Sequence, residues 1–430
     1  MIQRRFRRAI LRYTTLEVNL NPKGKYAILL LSSILVTYAI VGGKLLHQVS
    51  AQDGSYRQLS LFNEVLHKVQ DDYVDAPSTP NAINGAIRGL VETVDPEGGY
   101  LSAKDVAFYK SFDPLRTPGI GVILGRTRLG YPVILSVLQD GPGQKAGLTA
   151  GDMIEAIDGL PTREMNLVQV DGFLANPPDK SVTLTVIRRN TAKPESVTVT
   201  RGVVKAPAVD SKIIESNIAY VHVPILSQGK AAEARKDIDN LLKSGATSVI
   251  LDLRASAGGD EAEGIALANL FLDSGMVGYA QGQKIEKRTL MVDPKATLTK
   301  VPLAVLVNEW TSGPAELIAG AIRDSKRGQL VGKTTFGNGS VQKLIPMDDG
   351  SALLIAVARY YTPSGKVIEE TGVDPQVTVE ALEEEKLNLS SDQEIEIPIA
   401  PKKNAPASDE DRQLKEAIKI LHPQAAQKAA

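Results

Sequence analysis

The chain of 430 residues contains no cysteine. That removes disulfides, thiolate metal sites and cysteine nucleophiles together, and it suits an oxidising compartment. Histidine is scarce: His47, His67, His222 and His422 are all there are. No Ser-His-Asp set can be assembled from them, and His222, set in an apolar strand, reads as a core residue. An H-E-x-x-H sequence is absent, which excludes a zincin. Gly337-Asn338-Gly339 is not followed by G-K-[ST] at phosphate-loop spacing. Neither sign of charge dominates, the net charge being -1, so nothing argues for a nucleic-acid partner. No internal repeat is present. Neither a cofactor nor a metal ion is expected.

Charge is nevertheless unevenly placed. Arg4, Arg5, Arg7, Arg8 and Arg12 precede the first acid, Glu17, and Lys23 and Lys25 follow. Tyr26 to Gly43 then runs without a charge, about long enough to cross a bilayer as a helix. The basic flank belongs on the cytoplasmic side, which puts everything after Lys44 outside. The expectation is a single-pass anchor in a bacterial inner membrane, with the bulk of the chain periplasmic or extracellular. The rival is a cleaved signal peptide with its small-residue site at Val49-Ser50-Ala51.

The length suggests two or three folding units. Residues 1–51 form the basic segment and anchor, and 52–116 a helical region. There Leu59, Phe62, Val65, Leu66 and Val69 recur at helical spacing over 56–74. A second helix is predicted over 80–94, with Asn81 as cap and Ile83, Ile87, Leu90 and Val91 as its apolar face. Residues 117–205 are β-rich: GIGVILG, YPVILSVL, DMIEAIDG, SVTLTVIRR and SVTVTRGVV are short runs divided by Gly and Pro, with one helix over 166–175. From 206 to 380 strands and helices alternate, an α/β layout with mixed strand directions. Helices are predicted over 231–243, 261–272 and 314–326. Residues 381–430 are a polar tail, mobile over 401–409. It ends in a short amphipathic helix carrying Leu414, Ala417, Ile418 and Leu421.

Several stretches resemble the carboxyl-terminal processing proteases, a family of Ser/Lys serine peptidases with a PDZ domain. The carrying residues are Asp95-Pro96 with Tyr100-Leu101-Ser102, and then Asp252-Leu253-Arg254 with Gly258-Gly259. The segment from Asn308 to Gln342 and Thr362-Pro363-Ser364-Gly365 complete the set. The β-rich module resembles that family's PDZ domain through Gly119-Ile120-Gly121-Val122, Gly141 to Leu148, Gly151 to Ile154 and Ile157-Asp158-Gly159. A PDZ domain adds an extended peptide as a strand, and a glycine-rich loop gives its backbone N–H groups to the terminal carboxylate. The resemblance implies that this loop is Gly119, Ile120, Gly121 and Val122, and that the ligands are protein C-terminal tails or unfolded polypeptide.

The resemblance also assigns the catalytic positions. The family's nucleophilic serine falls on Gly313 and its base lysine on Asn338. The residue after the serine, whose N–H faces the oxyanion, is Pro314, which has no N–H. Gln342 stands where the family's lysine-orienting glutamine lies, and Gly258 and Gly259 match the loop of the other oxyanion donor. Glu316 keeps its place, while the family's Asn and Pro ahead of the glycines are Ala255 and Ala257. Two functions follow. One is a binder of tails on a protease fold, with lost or much reduced peptidase activity. The other is a serine endopeptidase with a relocated nucleophile at Ser312, the Gly313 N–H beside it, and Lys333 or Lys343 as base. The plain alternative for Thr311 and Ser312 is that they cap the helix starting at Pro314.

Overall fold

The structure is a computed structural model. It describes residues 56–379 apart from 128, 176 and 189–192, together with 411–422 and positions 26, 30–33 and 36–37. The uncharged run 26–43, expected to be an anchor, falls mostly outside the described residues. Among those described, no helix is long and apolar enough to cross a membrane. The tail segment 401–409 also lies outside them.

Two compact units are separated, 1–85 and 86–430. In the first, helix α1 covers 56–72, and Gln70 Nε2 donates to Thr79 Oγ1 at 2.7 Å across the turn that follows. Helix α2, Thr79–Val94, crosses the division. It begins ahead of Asn81, which therefore sits inside the first turn instead of capping it. Val91 is buried, whereas Leu90 is 69% exposed, so the helix buries a narrower stripe than its apolar spacing predicts.

In the second unit a short strand β1, Gly99–Leu101, leads to helix α3, Ala103–Ser111, where Ser102 and Asp105 form a reciprocal capping box. The β-rich module follows. Its strands are β2 (Val122–Arg126), β3 (Pro132–Val137), β4 (Met153–Ile157), β5 (Leu160–Pro161), β6 (Ser181–Ile187) and β7 (Pro194–Thr200). They pair in the order β2-β3-β4-β6-β7, with β5 on β4, so β2 is an edge strand. The alternation in β6 is that of a half-buried strand: Val182, Leu184 and Val186 are buried and Ser181 and Thr183 exposed. Helix α4, Leu167–Leu174, closes the module. Asn166 caps it, accepting from the Gln169 N–H while Gln169 returns a bond.

The remaining chain builds an α/β layer. Strands β8 (Asp210–Ile214), β9 (Ile218–His222), β10 (Ser248–Asp252), β13 (Leu303–Val307), β14 (Gln329–Gly332) and β17 (Val377–Thr378) form one sheet. It is parallel except for β8. Every residue of β10 and β13 is buried, which is why SVILD and LAVLV read as unbroken apolar runs: both sheet faces are covered. One face carries the helices α5 (Lys230–Lys243), α6 (Glu261–Asn269) and α7 (Pro314–Asp324). The other face, built from Ile218, Ile250, Ala304, Leu306 and Val331, is covered by α8, Arg412–Leu421. A second, antiparallel sheet joins β1, β16 (Ala352–Tyr361), β11 (Met276–Gln281) and β12 (Arg288–Met291), with β15 (Ser340–Pro346) on β16.

Helix α8 is tied down at its N-terminus by charge. Asp411 accepts from the Leu414 N–H at 3.0 Å and pairs with Arg254 at 2.8 Å. Arg254 also holds the buried Asp252, whose carboxyl is lowered despite its desolvation because the guanidinium bonds to it. Arg254 is therefore a structural clamp between β10 and the tail helix.

Candidate functional site

Parallel strands present their loops at their C-terminal edge, and a crevice forms where neighbouring loops part. Here the loops after β10 and β13 meet. The Ala255 N–H donates to Asn308 Oδ1 at 2.9 Å, and the Ser312 N–H to the Ser256 carbonyl at 2.9 Å. Thr311 Oγ1 donates to the Leu253 carbonyl at 2.7 Å, so this hydroxyl braces the two loops and does not cap α7. The N-cap is Gly313, whose N–H donates to Glu316 Oε2 at 2.9 Å.

Glu316 organises the site. Its side chain is fully buried. Oε1 accepts from the Gly337 N–H at 2.7 Å and from the Thr335 hydroxyl, and Oε2 accepts from the Gly313 and Asn338 N–H groups. One carboxylate thus joins the start of α7 to the loop 335–338. Burial raises this carboxyl to about 7, while the four donors favour its ionised form.

A cavity of about 280 Å³ opens over these loops. Ser312, Gly313, Pro314, Gly258, Gly259, Asn338 and Tyr360 line it, together with Ile123 and Leu124 of β2. No lysine is among its lining residues. Lys333 has its ammonium 3.9 Å from Glu309 Oε1, and Lys343 is exposed on β15. Ser312 is only 1% exposed. Gly313 has φ 64°, and a Cβ built on it would meet nothing within 4 Å: the cavity lies directly in front of it. Gly259 is the opposite case, since a Cβ there would strike the Leu226 carbonyl, so only glycine fits. The Gly258 carbonyl accepts from Leu226 N–H at 3.3 Å. Among the described residues, the Gly258 and Gly259 N–H groups have no acceptor in the protein.

The β-rich module forms one wall of this site. Ile123 rests on Gly258, the Phe336 ring lies over Gly125, and Gly151 packs against the Trp310 indole. Val133, Leu135 and Ala257 are buried at the centre of that junction. The loop 119–122 lies beside the end of α4. Gly119 exchanges backbone hydrogen bonds with Gly202 at 2.9 Å, so its N–H is occupied. The Ile120 and Gly121 carbonyls accept from Gly143 and Leu138, while their N–H groups find no backbone acceptor among the described residues. Gly121 has φ 73°, Ile120 is 2% exposed, and Val122 begins β2. Arg201 fixes the end of α4 by donating to the Phe173 and Leu174 carbonyls, the favourable position for a cation at a helix C-terminus.

A second cavity, of about 650 Å³, lies between the start of α4, the end of α3 and β15. Asn338 and Ser340 line both cavities. They sit where β2 bounds one cavity and α4 the other. Gln342 lines the larger cavity and donates from Nε2 to the Glu97 carbonyl at 3.1 Å. Among the described residues no group of three or more His, Asp or Glu could hold a metal ion.

Motif reading did not single out Glu97. It lies inside the Asp95-Pro96 to Ser102 stretch, and the fold carries it to Asn338. Its carboxyl is raised from 4.5 to about 8, first by burial and then by the carboxylates of Glu369, Asp95 and Glu316. The folded chain therefore keeps a proton between pH 4.5 and 8 that the unfolded chain has lost. This contribution to stability is complete below pH 4.5 and falls as the pH rises towards 8. Glu97→Gln, uncharged at every pH, is expected to match the wild type near pH 5 and to be the more stable by about 4 kcal/mol at pH 8.5. Thermal melts at both pH values check this; parallel pH profiles would refute it.

Known proteins resemble the chain over most of its length. The model of Peptidase family S41 matches residues 217–379 and that of a PDZ domain residues 133–188. The carboxy-terminal-processing protease of Bartonella bacilliformis is 30% identical over 335 residues, 76% of each chain. The carboxy-terminal processing protease CtpA of Bacillus subtilis is 30% identical over 364 residues, covering 83% of this chain and 76% of that one. Among solved structures, a photosystem II D1 C-terminal processing protease superposes with a TM-score of 0.63 at 26% identity, over 74% of this chain and 92% of that one.

Proposed function

Because this chain belongs to the carboxyl-terminal processing proteases of peptidase family S41, we propose that it binds protein C-terminal tails through its PDZ domain without efficient cleavage. One observation carries the reading. The cavity at the family's serine position is lined by Gly313, Pro314 and Asn338, which offer no hydroxyl, no N–H and no amine respectively. The same Asn338 also lines the cavity beside α4, so a tail lying between β2 and α4 runs up to that spot. The free carboxylate of the tail meets the Ile120 and Gly121 N–H groups, and its extended backbone adds to the edge strand β2.

The second reading, a serine endopeptidase using Ser312, is favoured by the presence of Ser312 in the cavity lining. Against it, the Gly313 N–H that would face its oxyanion already donates to Glu316. We place the chain in a bacterial inner membrane by its N-terminal uncharged run, with the bulk outside, on the strength of the one-sided basic flank.

The test uses the full-length chain and a fluorescent peptide ending in apolar residues. The free-carboxylate peptide is expected to bind and the C-terminally amidated one to bind at least about tenfold more weakly, with neither cut during the assay. Cleavage by the wild type that disappears in Ser312→Ala would overturn the reading in favour of the relocated nucleophile.

A further inference from the structure

Acidic groups crowd the wall beside Asn338, and most of them are occupied. Glu316 takes four donors, Glu369 Oε2 takes the Gly339 N–H at 2.7 Å, and Asp95 takes the Glu97 and Ala356 N–H groups. Glu97 differs. It is largely buried and lines the larger cavity, yet among the described residues its carboxyl has no hydrogen-bond donor. Asp171, on the α4 side of the same cavity, is in the same condition, and burial alone raises its carboxyl to about 7. Arg126 eases the charge on Glu97 only in part and gives it no hydrogen bond. Arg126 is buried, donates to the Met165 carbonyl and lies 3.8 Å from Glu92, and Lys110 is an exposed residue at the cavity edge.

The cavity also offers neutral acceptors. Gln342 spends its Nε2 on the Glu97 carbonyl, so Oε1 is its remaining polar atom, and Gln342 and Asn338 both line the space. A lysine or arginine side chain, which only donates and carries positive charge, would satisfy these acceptors and by its charge favour the ionised form of Glu97, whose proton burial otherwise retains. An apolar side chain would leave these acceptors dry and unpaired.

We propose that the space bounded by Glu97, Asn338, Gln342 and Asp171 is a subsite for the lysine or arginine side chain of a bound tail. The proposal rests on the tail-binding reading above and names the substrate class of that site: tails with an apolar end and a basic residue upstream. The spacing follows from α4. Its 8 residues advance about 12 Å. An extended peptide covers that in about four residues. With the terminal carboxylate at Gly121, near the end of α4, the basic residue falls about four positions before the last.

The experiment measures the affinity of the full-length chain for free-carboxylate peptides with one apolar end. A single lysine is walked through the upstream positions, with norleucine at the same position as the uncharged control. One position is expected to favour lysine over norleucine about tenfold. Glu97→Gln is expected to reduce that ratio towards one, and Asn338→Lys to abolish it by filling the space from within. A ratio near one at every position, in a chain that still binds tails, overturns the subsite. So does a preference that survives both substitutions. Absence of tail binding altogether would instead refute the tail-binding reading, and a second measurement then decides the subsite by itself. Butylammonium, the end of a lysine side chain, is expected to raise Tm saturably in the wild type and not in Asn338→Lys, with n-butanol inert in both. No rise in the wild type overturns the subsite.

Discussion

The triple variant Gly313→Ser, Pro314→Ala, Asn338→Lys is expected to cut an apolar-ended unfolded reporter about 10²–10³ times faster than the double variant that keeps Pro314. The geometry has room for each change. A Cβ at Gly313 enters open cavity, so the serine hydroxyl would stand beside the Gly258 and Gly259 N–H groups. Its φ of 64° is a strained conformation for serine, which costs about 1–3 kcal/mol. Pro314 is the harder obstacle because it has no N–H to give an oxyanion. Alanine restores that donor and keeps the Cβ that packs near Gly264. The new lysine would lie among Glu97, Glu316, Asp95 and Glu369, carboxyl groups that favour its protonated form. A base must be neutral, so the rate is expected to climb with pH above about 8. Initial rates of the wild type, double and triple variants from pH 7 to 10 provide the check. Equal rates for double and triple would show that Pro314 is no obstacle. No cleavage by the triple would mean that the site has drifted beyond these three residues.

The second large effect concerns stability. Glu316→Ala is expected to lower unfolding stability by about 3–5 kcal/mol, because it strands the Gly313, Gly337 and Asn338 N–H groups and the Thr335 hydroxyl. The loss should be local first. Amide exchange at Gly337 and Asn338 should speed up, while amides in the PDZ strands β4 and β6 keep their protection. Glu316→Gln should fall between, since one oxygen still accepts but an NH₂ group now faces N–H donors. Denaturant titration with hydrogen exchange reads both effects. A Glu316→Ala midpoint within error of wild type would reject the view that this carboxylate holds the start of α7 to the loop 335–338.

Legibility varied with the range of the interaction. Local signals placed α4 within a residue of its ends, because Asn166 and Gln169 form a reciprocal cap that four adjacent residues can specify. The buried strands β10 and β13 stood out as continuous apolar runs for an equally local reason. Strands β11 and β12 did not stand out. Met276 to Gln281 has no clean alternation, and its Gly278 is required by the close approach of the Tyr361 carbonyl. Thr311 read as a helix cap because capping is a local habit of threonine. In the fold its hydroxyl is taken by Leu253, which is remote in sequence.

The sequence by itself determined the family and the order of its PDZ and peptidase modules. These are properties of residue type and spacing, which the chain carries whether or not it is folded. Only the tertiary structure decided that Asn338 and Ser340 border both cavities, that Arg254 clamps the tail helix through Asp411, and that Glu97 is brought against Gln342 and Asn338. Those are contacts between segments far apart in the chain. Their partners are chosen by how sheets and helices pack, and no local period records that choice.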